Sequence, residues 1–435
     1  MPDQDAPSSE RALPWRAQAS NFAGTIRDHR HVVIPLLGGN LLLGVLGFAT
    51  SAAASRLLGT AGRGELAARQ NIPNLLAVLG SLGLGEAALY FSARHPRSVK
   101  TITVQSLRLG TLGVFGAATI AAALIAISLS SEDTRTGAFW YLLVIPVTVV
   151  YTIAYQPLRA LGRHALWMGY RLGISAGWFG CLLIGFALDR PSPQLVAMMF
   201  CGVMSIAALS ACIVARNYPN AEPESAPSNR ELLRYSLPAA ILVVPQAINL
   251  RLDQVLLASL VSREQLGLYV AAVGWSWVAL PVFTAFGQFV FPKVAALEGA
   301  EQDRWRRRAI VWSSSLAVIT FAALVVPTRL LFAVVMGEDF RSGVNLATLM
   351  LGAGVLNGML LVLEELCKGL GFPKRVLLAE VVGLLSTVVL LILLLQRFGI
   401  TGAAVASIGG YSTTVVVLLI VLLNKDNQSV RSATA

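Results

Sequence analysis

Apolar runs of about 20 to 27 residues follow one another along nearly the whole of this 435-residue chain. That length covers about 30 Å of hydrocarbon at the helical rise of about 1.5 Å per residue. The runs fall at approximately 32–55, 71–93, 103–129, 138–157, 166–188, 193–216, 236–261, 267–291, 309–328, 343–366, 376–396 and 399–424. They lack the period-two alternation of a membrane barrel. Charged residues make up 13% of the chain, against about 25% in soluble domains. The expected fold is an all-α polytopic membrane protein with about twelve transmembrane helices in two pseudo-symmetric six-helix bundles.

The net charge of +11 belongs to the loops and not to a nucleic-acid surface. With the N-terminus placed in the cytoplasm, 23 Lys and Arg fall on that side and 9 on the other, and Arg171 and Arg251 stay inside spans, which accounts for all 34. The positive-inside rule then predicts both termini inside and an even number of spans. The longest polar interruption, Asn217 to Tyr235, carries Pro219, Pro223 and Pro227 and reads as a flexible linker between two halves. The expected division is therefore a cytoplasmic segment 1–30, a six-helix bundle 31–216, a cytoplasmic linker 217–235, a second bundle 236–424 and a cytoplasmic tail 425–435. No secretory signal is expected at the N-terminus. Cys181, Cys201, Cys212 and Cys367, and His29, His31, His95 and His164, show no ligand-pair spacing, so neither a disulfide framework nor a metal site is expected.

A degraded repeat supports the two-half division. Arg56 to Arg94 forms an apolar hairpin around a glycine-bearing turn, Gly59 to Gly64. It returns about 203 residues later as Ser259 to Ala295, with Gly64 over Gly267 and Ala68 over Ala271. Prolines fall in the first two spans of each half, at Pro35, Pro73, Pro238, Pro245 and Pro281, and suggest helices that bend during transport.

Ionisable groups deep in a span each need an interior partner or water. Arg251 and Asp253 sit about fifteen residues into the seventh span and, at i and i+2, point to opposite sides of a helix. With Asn249 they mark the wall of a hydrated cavity or a buried ion-pair network between the halves. Glu86 and Arg171 are the matching candidates in the first half, with Glu86–Arg171 and Asp253–Arg171 as alternative pairings. Arg56, Arg63 and Arg69 crowd the outer mouth of the first hairpin, as interfacial anchors or as an anion-attracting rim. Glu364 and Lys368 are one turn apart and suit a local ion pair. Glu380 can snorkel or pair with Lys374 and Arg375. No nucleophile–base pair, carboxylate dyad, phosphate loop or metal cage is visible, so an enzyme is not expected.

Several short blocks resemble the polysaccharide (lipid-linked oligosaccharide) flippases of the multidrug/oligosaccharidyl-lipid/polysaccharide (MOP) exporter superfamily. They are Ser55-Arg56-Leu57-Leu58-Gly59 with Gly62-Arg63-Gly64-Glu65-Leu66, then Ser81-Leu82-Gly83-Leu84-Gly85 and Ala88-Leu89-Tyr90-Phe91, and Asn249 to Tyr269. Near the end stand Gly369-Leu370-Gly371-Phe372-Pro373-Lys374 and Phe398-Gly399-Ile400-Thr401-Gly402-Ala403-Ala404-Val405-Ala406. The corresponding glycine-alanine motif is missing before the sixth span, where Asp189-Arg190-Pro191-Ser192-Pro193 stands. The resemblance implies a multi-pass protein of a bacterial inner membrane that flips undecaprenyl-pyrophosphate-linked repeat units by alternating access for polysaccharide export. It implies coupling to Na+ or H+, no cofactor, and membrane lipids and other polysaccharide-assembly proteins as partners. On this reading Arg251, Arg171, Arg56, Arg69 and Asn249 contact the anionic substrate, and Asp253 and Glu86 serve coupling or hold the arginines. The alternatives are a multidrug or organic-cation antiporter of the same fold and, from a different class, a membrane glycan polymerase or ligase. A lipid II flippase is expected to carry two further C-terminal spans.

Overall fold

The computed structural model describes residues 30–188 and 191–433, with side chains over 38–188 and 191–424. The basic residues counted above at 11, 16, 27, 30, 190, 425 and 431 lie outside those ranges in whole or in side chain. So do the segments assigned as cytoplasmic N-terminus and tail, apart from the helical backbone of 30 and 425–433. The described residues form helices and connecting turns, with no strand among them. In order these are α1 (Arg30–Gly80), α2 (Leu84–Arg94), α3 (Val99–Ser128), α4 (Glu132–Tyr141), α5 (Val144–Tyr155), α6 (Pro157–Ala160), α7 (His164–Ala187) and α8 (Pro193–Arg216). After the linker come α9 (Asn229–Asn249), α10 (Leu252–Leu260), α11 (Arg263–Ser276), α12 (Leu280–Ala295), α13 (Gly299–Met336), α14 (Val344–Gly369) and α15 (Pro373–Ala433).

Among the described residues nine helical stretches are long and apolar enough to cross a membrane, or ten if α9 and α10, bent by 44°, count as one span. The difference from the twelve apolar runs has a specific cause. Two stretches, Gly38–Arg94 and Pro373–Asn424, hold 57 and 52 residues, roughly 85 and 78 Å of continuous helix and far more than a bilayer needs. Gly59 (φ 64°) and Gly399 (φ 54°) interrupt them in conformations forbidden inside a helix, and the first is broken again at the turn before α2, where Leu82 (φ 49°) and Gly83 (φ 68°) are left-handed. The second stretch folds back on itself at Gly399, since Ser386 bonds Thr413 at 3.0 Å and Gly383 packs on Thr414. For the first, Asn40 meets Arg171 and Leu57 meets Gly185, while Glu65 meets Thr134 and Asn74 meets Tyr141. One arm of α1 thus runs parallel to α7 and the other parallel to α4 and α5. Those partners are themselves antiparallel, with Tyr155 on Trp167 and Tyr151 on Tyr170, so the arms of α1 are antiparallel too.

Large apolar side chains point outward along these helices, among them Phe115, Ile127, Val318 and Leu330, which water would penalise and lipid does not. Inside, one apolar core runs without interruption from Leu66, Ile72 and Tyr141 of the first half to Tyr269, Phe332 and Leu391 of the second. It lies toward the face that carries Gly59 and Gly399, opposite the linker.

The strongest sign of duplication is the contact between α1 and α11. A Cβ on Gly64 would collide with the Arg263 carbonyl oxygen, and a Cβ on Gly267 would collide with the Thr60 carbonyl oxygen. Thr60 and Gly64 become Arg263 and Gly267 when 203 is added, so the two contacts are exchanged by the repeat. The offset seen in the sequence is therefore a two-fold relation in space, and this contact sits on its axis.

The linker is docked, contrary to its flexible appearance. Pro219 O accepts from Lys100 N at 3.1 Å, Asn220 Oδ1 accepts from Thr101 Oγ1 at 2.7 Å, and Glu222 pairs with Arg97 at 2.6 Å. Ser98 Oγ adds bonds to Glu222 O and, at 2.7 Å, Ser225 Oγ. A capping box between Ser228 and Glu231 then starts α9.

Gly267→Ala should lower the stability of the purified protein by about 1–3 kcal/mol through overpacking against backbone, read as a drop in thermal midpoint. Gly169→Ala, with nothing near its Cβ, should leave the midpoint unchanged.

Candidate functional site

A cavity of about 530 Å³ lies between the halves, walled by α1, α5 and α7 on one side and by α12 and the turn before it on the other. Local sequence makes that wall. Pro281 in the first turn of α12 has no N–H to continue α11, and a 3₁₀ turn, Trp277–Ala279, joins the two helices. The turn leaves Trp277 43% exposed on the cavity side. Gly44 and Gly47 of α1 admit Pro281 and Trp277 at close range. Beyond that point, toward the linker face, the two helices part. Gly39 packs on Met168 of its own half, and Gly287 on Glu365 of its own.

Arg171 is the cation of this cavity. Its guanidinium donates to Asn40 Oδ1 at 3.1 Å and lies 4.9 Å from the centre of the Trp167 ring. Among the described residues no carboxylate pairs with it. Trp167 is fixed in turn: its Nε1 donates to Gln156 Oε1 at 3.1 Å, and Gln156 Nε2 donates to Glu86 Oε1 at 2.9 Å. Tyr155 stacks on Trp167 and, 4.4 Å away on centroids, on Tyr151. The outcome is a half-buried guanidinium held by neutral partners and a locked aromatic stack, opposite an exposed indole. A cation so placed in a low-dielectric site attracts an anionic group, and the aromatic faces suit apolar surface beside it.

Other expected site residues stand elsewhere. Asp253 is buried and does not line the cavity. It accepts from Tyr269 Oη at 2.5 Å, Ser407 Oγ at 3.2 Å and Gln254 N at 2.7 Å, which ties α10 to α11 and α15 within one half. Arg251 sits at the break between α9 and α10, outside the cavity lining, and forms no ion pair with Asp253. Neither alternative pairing of Arg171 occurs: Glu86 reaches it only through Gln156 and Trp167, and its own side chain is exposed. Asn249 is buried with its Nδ2 unpartnered. Arg69 is no open rim, being enclosed by Glu65 (2.7 Å), Asp133 and Gln194 Oε1 (2.9 Å). Glu65 also holds Arg263 of the other half at 2.9 Å. Arg56 donates to the carbonyls of Val334 and Val335. Arg263 and Arg56 thus join the halves at the face opposite the linker, while Arg69 braces Glu65 from within the first half.

Sequence reasoning passed over Asn40, Tyr151, Tyr155 and Trp277. Asn40 alone carried a usable signal, as a single amide near the start of an apolar run. It also misplaced Glu380, which neither snorkels nor meets Lys374. Its side chain is buried at 2% exposure, with both carboxyl oxygens lacking a donor.

Residues 32–298, more than half of the chain, match the family described as polysaccharide biosynthesis protein. No curated protein matches the chain by sequence. Among solved structures, it resembles the lipid II flippase MurJ in an inward closed conformation, with TM-score 0.73, 12% identity, and 89% of this chain and 87% of that one covered. It also resembles an inward-facing multidrug resistance MATE family transporter of the MOP superfamily, with TM-score 0.67, 15% identity, and 92% and 96% covered. A eukaryotic MATE transporter aligns with TM-score 0.60 at 10% identity over 92% and 96%. At such identities the likeness speaks to the fold.

Glu65→Ala would leave Arg69 and Arg263 without their shared carboxylate. About 3 kcal/mol of interaction between the halves should be lost, and thiol labelling of a cysteine placed at Asn71, buried here at 4% exposure, should rise several-fold.

Proposed function

The chain belongs to the polysaccharide biosynthesis protein family and has the fold of the MOP exporters. From that footing we propose that it is a flippase carrying a lipid-linked oligosaccharide, anchored by undecaprenyl pyrophosphate, across the bacterial inner membrane by alternating access. The observation that carries the reading is Arg171, a cation without a carboxylate partner on the wall of the cavity between the halves. A diphosphate headgroup supplies the missing negative charge. Charge-assisted hydrogen bonds to it are worth about 1.5–3 kcal/mol, roughly ten- to a hundred-fold in affinity. Sugars attached to the diphosphate would lie against Trp277 and the Tyr151 ring, and the polyprenyl chain would stay in lipid where α1 and α12 part.

The orientation from loop charge puts the linker in the cytoplasm. The side closed by Glu65, Arg69, Arg263 and Arg56 is then the outer one, and the cavity is poised to receive cargo from within. An organic-cation antiporter would call for acid in the same place, and among the described residues no Asp or Glu lines this cavity.

A strain lacking the chain should accumulate lipid-linked repeat units, resolved by mass spectrometry of the lipid fraction. Arg171→Gln should reproduce at least a ten-fold loss of export at normal protein level, while Arg251→Gln, outside the cavity lining, should lose much less. Normal lipid pools in the deletion strain would overturn the substrate class, and full export by Arg171→Gln would remove Arg171 from the site.

A further inference from the structure

A second polar centre lies in the other half, away from the cavity, and nothing above uses it. Glu380 of α15 is buried at 2% exposure, and neither of its carboxyl oxygens receives a hydrogen bond. Its carboxyl lies within hydrogen-bonding reach of that of Glu364 on α14, itself 4% exposed. Two ionised carboxylates are both acceptors, so their approach gains nothing and is repulsive in a low-dielectric interior. One hydrogen between them converts the contact into a strong O–H···O bond. We infer that Glu380 and Glu364 share one exchangeable proton, and that this pair is a proton-binding site built into the second half.

The surroundings fit that occupant. From α14, Lys368 Nζ stands 3.4 Å from Glu364 and 3.0 Å from Glu365. It balances the charge left on Glu364 and discourages a bare metal cation in the same place. From α9, the uncharged Gln246 donates to Glu364 Oε1 at 3.5 Å. From the returning arm of α15, Tyr411 lies within electrostatic range of Glu380 without bonding it. On its own arm Lys374 and Arg375 lie more than one turn away, and Arg375 covers Phe372.

The step balances simply. A proton from water is taken up by one carboxylate oxygen of the pair and donated to the other carboxylate, and its release returns two negative charges in contact. Lys368 can then neutralise only part of them. The strain falls on Gln246 and so on α9, the helix that bends by 44° before α10. Proton occupancy is in this way tied to the span broken between α9 and α10, whatever cargo the cavity takes.

Infrared difference spectroscopy of the full-length protein in lipid nanodiscs, titrated through the neutral range without substrate, tests the site directly. The wild type should show a carboxylic-acid C=O band that comes and goes with pH, and the band should vanish in Glu380→Gln and shift in Glu364→Gln. Glu365→Gln, a partner of Lys368 outside the pair, should leave it in place. Glu380→Gln keeps the shape of the side chain and should keep or raise the thermal midpoint, because it removes an unsolvated charge. Absence of an acid band in the wild type, its persistence in Glu380→Gln, or displacement of the band by sodium at constant pH would each overturn the assignment. None of these readings depends on which lipid-linked cargo is carried, so failure here and failure of the flippase reading are separately visible.

Discussion

Hydrocarbon offers no hydrogen bonds, and the polar groups within the described spans are placed under that constraint. Backbone amides are satisfied within helices, so the described structure is helical almost throughout. Charged side chains have fewer solutions. Arg69 is enclosed by carboxylate and amide oxygens, Arg56 by backbone carbonyls, and Asp253 by hydroxyls and an amide. Once these are accounted for, two groups stand out. Arg171 faces a cavity with only neutral partners, and the carboxyl of Glu380 is buried against another carboxyl. The first carries the transport reading, and the second the proton site.

The fold was largely legible because its determinant is one-dimensional. The length of an apolar run decides whether it spans, and a repeat at a fixed offset survives in the order of residues. Gly64 and Gly267 were aligned from text alone and meet on the axis relating the halves. The span count diverged from the helix count for a local reason: Gly59 and Gly399 interrupt helices that otherwise continue, and the 44° break near Arg251 divides one that hydropathy reads as single.

The site was less legible because depth in a span can be counted and azimuth cannot. The break between α9 and α10 turns Arg251 and Asp253 from the cavity, and Asp253 finds Tyr269 and Ser407 instead. Arg171 lines the cavity, but its link to Glu86 passes through Gln156 and an indole ring, which no spacing rule reveals. Glu380 looked close enough to a helix end to reach water. The packing of α14 and of its own returning arm closes that route.

The glycine contact between α1 and α11 has a mechanical meaning. Points on a rotation axis stay put while displacement grows with distance from it. If one half swings against the other, the backbone at Gly64 and Gly267 is a fulcrum, and the ends of α1 and α12 that part near the linker face are the long arms of the lever. Two missing methyl groups then set how closely the pivot seats, and a small tilt about a seat this tight becomes a large displacement at the far ends.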